Sequence, residues 1–358
     1  MGGFLRPGRR LVGVLLLASS LAPAVPAAAQ TTDRDWALCE NRASAFSPAE
    51  VIASCTAIIQ SATETEPDLS IAYTNRAHAY AAQANHSAAL ADLHEAVRLD
   101  PSSRSARYNR AVVELALQDY AGAQADLDEL IRRDPGDWEA FHLRGQARLR
   151  QNDSEAARSD MSEAIRRSHI DSGPRAAELY SDRATAELQL RNYDAAISDF
   201  SVALQKNVFE TRAYLGRATG HLAMKNWQFA FDDLTRFVEH YPSVQAAWTQ
   251  RCLAGAMLGH PRAEVVADCE RGRDLAPSEP GPLAAQALVE LKFKGWQHAF
   301  DLYDAGIAGF PDSAMFHYGR GIARIRLGQS DSGWDDILRA TALDPGVPMD
   351  FGDFGIVP

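Results

Sequence analysis

Seven arginines each have an aspartate at a fixed distance further along the chain: Arg76 and Asp92, Arg110 and Asp126, Arg144 and Asp160, Arg183 and Asp199, Arg217 and Asp233, Arg251 and Asp268, and Arg320 and Asp336. The spacing is 16 residues in every pair but Arg251 and Asp268, where it is 17. Such pairs could move protons. A catalytic pair, however, is not copied seven times along one chain, so they read as structural ion pairs. His78, His86 and His94 are spaced by eight and read as solvated or capping histidines. Asp353-Phe354-Gly355 spells the metal-binding tripeptide of kinases, but no glycine-rich loop, strand lysine or catalytic loop accompanies it. GxSxG, HExxH, GxxxxGK and GxGxxG are all missing. No catalytic residue, metal site or cofactor is therefore expected.

Met1 to Ala29 carries a basic start (Arg6, Arg9, Arg10), an apolar run from Leu11 to Leu17 with Ala18, and the small-residue ending Ala27-Ala28-Ala29. This is the pattern of a secretory signal peptide with cleavage before Gln30, and it places the mature chain in the periplasm or outside the cell. No other stretch approaches the length of a membrane span. Removing residues 1–29 takes away three arginines and no acids, so the formal charge of −11 becomes −14. An acidic chain with only four lysines (Lys206, Lys225, Lys292, Lys294) is a poor match for nucleic acid, whose binders gather Lys and Arg against phosphates.

Regular spacing sets the organisation. Asp100-Pro101, Asp134-Pro135, Tyr241-Pro242, Ala276-Pro277, Phe310-Pro311 and Asp344-Pro345 each close a segment. Counting back from them gives repeats 70–103, 104–137, 138–171, 177–210, 211–244, 245–279, 280–313 and 314–347. The fourth follows a longer linker, and the sixth has one extra residue near Gly259-His260-Pro261. Each unit holds two apolar-periodic runs around a polar break, which predicts a helical hairpin. A small residue sits eighth (Ala77, Ala111, Gly145, Ala184, Ala218, Ala287, Gly321) and another twentieth (Ala89, Ala123, Ala157, Ala196, Ala230, Ala299), where helices approach closely. An aromatic usually sits fourth (Tyr73, Phe141, Tyr180, Tyr214, Trp248), and the closing proline stops the second helix.

In period, small residues and terminal proline the chain resembles the tetratricopeptide repeat family over nearly all of its mature length. The resemblance implies an all-α, right-handed superhelical solenoid whose first helices line a concave groove for peptides or partner proteins. Two repeats, 138–171 and 177–210, lack the closing proline, and Gly306 replaces the usual Ala in repeat 280–313.

In that frame each arginine sits seventh and its aspartate lies in the second helix. Repeat 280–313 loses both at once, to Gln286 and Leu302, which suggests that the two meet within one hairpin. Losing one alone would strand a partly buried charge. Cys252 falls eighth and Cys269 in the second helix, and in a frame laid over residues 32–61 Cys39 and Cys55 take the same two positions. Residues 32–61 thus read as a degenerate amino-terminal hairpin. The four cysteines read as two disulfides, each closing a loop of about 17 residues, worth on the order of 3 kcal/mol. A zinc site using His260 is the competing reading, with no CxxC to support it and no histidine near the other pair.

In the resembled family, positions two, five, nine, twelve and thirteen face the groove. Carried over, they give Thr74, His78, Tyr108, Val112, His142, Gln146, Arg150, Ser181, Thr185, Leu215, Thr219, Leu253, Leu288, Tyr318 and Ile322 as partner-binding candidates. The middle of the array is polar and the carboxyl half apolar, which suits an extended or helical peptide. The family's clamp for a terminal carboxylate is missing: Thr74 and His78 stand in place of its first Lys and Asn, and Glu139 and Leu143 in place of its last Lys and Arg. In the tail, 348–358, Phe351 and Phe354 are expected to dock on the uncovered face of the last repeat's second helix. The reading is a non-enzymatic scaffold or adaptor for a protein or peptide, with a glycan or cell-wall binder as the second class and an enzyme of unrecognised type as a distant third.

Overall fold

The computed structural model describes residues 27–41, 45–61 and 63–358, with side chains from Asp33 onward. Of the signal-peptide reading over residues 1–29, all but Ala27–Ala29 lies outside the described residues. Among the described residues there are nineteen α-helices and no strand, so the chain is an all-α repeat solenoid. No helix is long and apolar enough to cross a membrane. The chain divides into two compact units, 1–109 and 110–358.

The first unit holds α1 (Ala27–Glu40), α2 (Pro48–Ser61), α3 (Glu66–Ala82), α4 (His86–Leu99) and the start of α5 (Arg104–Ala116). Cys39 on α1 and Cys55 on α2 are bonded across a Cα separation of 4.9 Å, as the matched positions predict. They lie in a small core with Val51, Ile58, Ala72 and Ala79. Leu38 and Ser54 hold the positions where later hairpins place an ion pair, and the disulfide lies one residue beyond each.

The second unit continues with α6 (Tyr120–Arg133), α7 (Trp138–Arg150), α8 (Ser154–Ser168), α9 (Pro174–Gln189), α10 (Tyr193–Lys206), α11 (Thr211–Ala223) and α12 (Trp227–His240). It is completed by α13 (Gln245–Leu258), α14 (Arg262–Leu275), α15 (Pro280–Lys292), α16 (Trp296–Gly309), α17 (Ala314–Arg326), α18 (Ser330–Leu343) and the short α19 (Val347–Asp353). The predicted hairpins are these helices taken in pairs from α3 and α4 to α17 and α18. Within the second unit the first helices also touch one another, α7 to α9, α9 to α11, α13 to α15 and α15 to α17. They form its inner wall, while no second helix packs comparably on the next.

Each hairpin turn closes in the same way. The residue at position fifteen is left-handed in all eight repeats, namely Ala84, Gln118, Asn152, Arg191, Lys225, Gly259, Lys294 and Gly328. The next backbone N–H then reaches back five residues to a helix carbonyl, as Asp119 does to Glu114 (2.8 Å) and Asn226 to His221 (2.8 Å). This is the helix-ending geometry that satisfies the last carbonyls.

The small residues do the work their spacing predicts. Those at positions eight and twenty that are alanine are at most 1% exposed, because no larger side chain fits where the paired helices cross. All seven arginine–aspartate pairs form, each bidentate through Nε and a terminal nitrogen, from Arg76 with Asp92 (2.7 and 2.7 Å) to Arg320 with Asp336 (2.8 and 2.7 Å). Four of the arginines also lie against the position-four aromatic, Arg251 closest, 4.6 Å from the Trp248 ring centroid. In repeat 280–313, where the pair is lost, Gln286 is fully buried and accepts from Arg273 instead (2.8 Å). Cys252 and Cys269 are bonded, with Cα atoms 5.2 Å apart.

One expectation fails. The tail does not cap α18, whose Trp334 and Leu338 stay 50% and 66% exposed. Residues 347–358 instead turn back over the inner wall, so that Phe351 packs on Tyr318 and Tyr303, with ring centroids 4.9 and 6.4 Å apart. The reason is the supply of partners. On α18 the tail would meet only the Trp334 and Leu338 pair, one turn apart, whereas α15 and α17 offer a wider floor of Leu288, Leu291, Tyr318 and Ile322.

Candidate functional site

The candidate groove is the inner wall of the second unit, and it has two parts. In the first, α7 contributes His142 and Gln146 one turn apart, α9 contributes Glu178 and Asp182, and α11 contributes Arg212. Asp182 is 4% exposed and is the hub. His142 Nε2 lies 2.8 Å from its Oδ2, Gln146 donates to the same oxygen (2.8 Å), and Arg212 donates to Oδ1 (3.0 Å). Burial alone would raise the Asp182 carboxyl, but His142, Gln146 and Arg212 outweigh it and hold it below the ordinary carboxylate value. Beside this hub, Thr185 and Arg150 stay at least partly open, with Arg150 donating to the Leu115 carbonyl (3.2 Å).

His142, Glu178 and Asp182 present possible ligand atoms within 4.8 Å of one another. The set does not suit a cation. Both Asp182 oxygens are already engaged, and the Arg212 charge stands against the one a metal would need. The cluster therefore holds α7, α9 and α11 in register and leaves polar groups along the wall.

In the second part, on α15 and α17, the positions equivalent to Gln146 and Thr185 are Leu288 and Ile322, and the tail lies on them. Phe351 is 1% exposed, and Ile356 sits over Leu291, Ile322 and Trp296 beside a cavity of about 150 Å³. Lys292 Nζ donates to the Phe354 carbonyl (2.7 Å) and Arg326 to the Val357 carbonyl (3.1 Å). Further along, Phe354 reaches the Trp227 ring (6.3 Å) and Asp353 pairs with Lys225 (2.8 Å).

The structure sorts the residues predicted from the family frame. His142, Gln146, Arg150, Thr185, Leu215, Thr219 and Leu253 are at least partly open, as are His78, Tyr108 and Val112. Thr74 and Ser181 are buried, and Thr74 returns its hydroxyl to the carbonyl of Ser70 (2.8 Å). Thr74 and Ser181 are therefore corrected from open groove to interior, while Leu288, Tyr318 and Ile322 are buried in one cluster with the tail's Val347, Phe351 and Ile356. Asp182 and Arg212 were missed. An acid at position six, where other repeats hold Asn75, Asn109 or Gly216, was the available signal.

Residues 74–141 and 142–208 match the Tetratricopeptide repeat family model. A 61-residue stretch is 34% identical to the Protein SGT1 homolog of Oryza sativa subsp. japonica, covering 17% of this chain and 17% of that protein. The aligned stretch thus spans about a sixth of the length of that curated relative. Among solved structures, the chain is similar to one from the functional characterization of Pseudomonas aeruginosa pilF, with a TM-score of 0.56 at 18% identity over 62% of this chain and 98% of that one. It is similar to a tetratricopeptide repeat protein from Parabacteroides merdae ATCC 43184 (0.50, 16%, covering 72% and 97%) and to the APC/C hetero-tetramer Cut9-Hcn1 (0.53, 14%, covering 85% and 58%). At these identities the structures speak for the fold alone. The family match over 74–208, the frame it shares with every later hairpin and the solenoid built from them make this chain a tetratricopeptide-repeat protein.

Proposed function

We propose that this protein is a non-catalytic scaffold that holds a partner protein or peptide along the inner wall of its second unit, in an exported compartment. The observation that carries the reading is the run of polar side chains on α7, α9 and α11. Asp182 fixes their geometry, and Arg150, Thr185 and Glu178 are left open beside it. Preorganised donors and acceptors on rigid helices suit peptide recognition. All four cysteines are paired, which supports an oxidising compartment such as the periplasm.

The glycan reading needs exposed aromatic platforms. Of its two groove tyrosines, Tyr318 is covered by the tail, and Tyr108 lies under the Arg104 guanidinium (5.2 Å). A photo-crosslinking residue at Arg150 or Thr185 should trap a protein partner in native envelopes, and one at Ala125 on α6 should trap none. Equal trapping from both faces, or adducts only with glycan, would sink the reading.

A further inference from the structure

The tail is bound the way a groove binds a foreign peptide. Its backbone is held by side-chain cations on two carbonyls, Lys292 on Phe354 and Arg326 on Val357, contacts that any peptide backbone could accept. Its side chains supply the selectivity: Phe351 against Tyr318 and Tyr303, Phe354 against Trp227, and Ile356 against Leu291 and Ile322. Aromatic anchors in pockets with main-chain hydrogen bonds between them are the ordinary economy of peptide recognition.

Charge points the same way. Of the four lysines in this acidic chain, Lys225, Lys292 and Lys294 all line the tail's path together with Arg326, while the tail carries Asp350 and Asp353. Part of the segment nonetheless stays in solvent. It contains one helix of seven residues, then Gly355 with φ +70°, and Met349 and Val357 remain 76% and 59% exposed.

The geometry points to residues 347–357 as an exchangeable, built-in occupant of a peptide site. The exogenous ligand of that site is an acidic segment with two aromatics three residues apart and an aliphatic two residues after the second, the pattern of Phe351, Phe354 and Ile356. This rests on the reading that the inner wall receives polypeptide, and adds where the ligand lies, what chemistry it carries and what it must displace. A tethered occupant competes at an effective concentration near millimolar, so the site in the intact chain is masked.

The test uses the full chain and a fluorescein-labelled synthetic peptide with the sequence of residues 347–358. The intact protein should bind it weakly, and a full-length F351A/F354A variant roughly tenfold or more tightly, since its own tail no longer competes. A peptide with both phenylalanines replaced should not bind, and adding Ile322→Lys to the variant should abolish binding. If the F351A/F354A chain is folded by circular dichroism yet ignores the peptide, or if it no longer folds, the tail is a fixed part of the core and the proposal falls. Equal binding by the intact and variant chains would also overturn it. Arg150 and Thr185 lie outside the tail's footprint, so crosslinking there reports on the broader reading separately.

Discussion

The two parts of the inner wall start from the same frame and end differently. At positions five and nine the amino-terminal part has His142 and Gln146, which reach Asp182 on the next hairpin and satisfy one another. The carboxyl-terminal part has Tyr318 and Ile322, which present mainly apolar surface and are covered by the tail. One part is made rigid by its own network and stays open. The other is apolar enough that a chain segment of the same protein lies on it. Solenoid geometry fixes which positions face inward, and side-chain chemistry decides whether that face is finished or still requires an occupant.

The joints between repeats differ in a related way, and they give the largest expected effect. Where position twenty-four is Leu93, Leu127 or Leu234, the next repeat carries an ordinary residue at position six. Where it is an aromatic, Phe200 or Tyr303, the next repeat carries Gly216 or Gly319. A Cβ on Gly319 would stand 2.1 Å from the Tyr303 ring, and one on Gly216 would stand 2.2 Å from Phe200. Gly319→Ala should therefore cost about 3 kcal/mol by overpacking. Tyr303→Leu in the same chain should restore most of that loss, a coupling that a thermodynamic cycle on urea denaturation would measure. Additive losses would mean that ring and glycine do not share the space.

How far the chain could be read in advance follows from the same contrast. Positions eight and twenty and the arginine–aspartate spacing were legible because they repeat, and both cysteine pairs because they fall on repeated positions. Compensations were not legible. Gly306 looks like a departure until Phe316 is seen against it, where a Cβ would come within 2.4 Å. Several arginines also turned out to reach the preceding hairpin, as Arg144 does to Asp128 (2.5 Å) and Arg320 to Asp304 (2.6 Å). The frame indicated the inward positions of the wall, but not that Asp182 would anchor one part or that the tail would occupy the other. Both depend on contacts 30 or more residues apart along the chain, which no local pattern encodes.

Position eleven sharpens the comparison through pH. Glu290, under α15, is fully buried but held by Arg262 (2.6 Å) and His298 (3.0 Å). Glu114, under α5, is 5% exposed, with Oε2 unpartnered and Arg110 only at 3.9 Å. Burial, with Asp126 nearby, pushes Glu114 up to about 7. A carboxyl with a raised folded value takes up protons on folding, so stability falls as pH rises from about 4.5 through 7. Glu114→Gln should leave stability at pH 4 unchanged and raise it at pH 8 by about 2 kcal/mol, allowing for the solvent that reaches the site. Glu290→Gln should instead destabilise at pH 8, because it gives up the charge-assisted bond from Arg262 and the contact with His298. Parallel pH profiles of the wild type and Glu114→Gln would show that Glu114 titrates normally.

The smallest effect separates turn strain from tail attachment. Gln118 and Lys225 occupy the same left-handed turn position, with φ of 63° and 60°, in hairpins on either side of the polar hub. A residue with a Cβ is disfavoured there by about 1 kcal/mol, and glycine is not. Gln118→Gly should raise stability by up to about 1 kcal/mol, the greater freedom of glycine in the unfolded chain taking back part of the gain. Lys225→Gly relieves the same strain but also removes the bridge to Asp353, in which both side chains are more than half exposed. Exposed bridges contribute between about 0 and 1 kcal/mol, so its net change should be the smaller of the two. The second readout is a labelled tail peptide carrying Asp353→Asn, which cannot form the Lys225 bridge, so the Lys225→Gly chain should admit it more readily than the Gln118→Gly chain. A loss of stability in Gln118→Gly would contradict the strain argument. Equal peptide binding by both variants would show that Lys225 does not help to hold the tail, and the tail's attachment would then rest on its aromatic contacts and the two carbonyl bonds from Lys292 and Arg326.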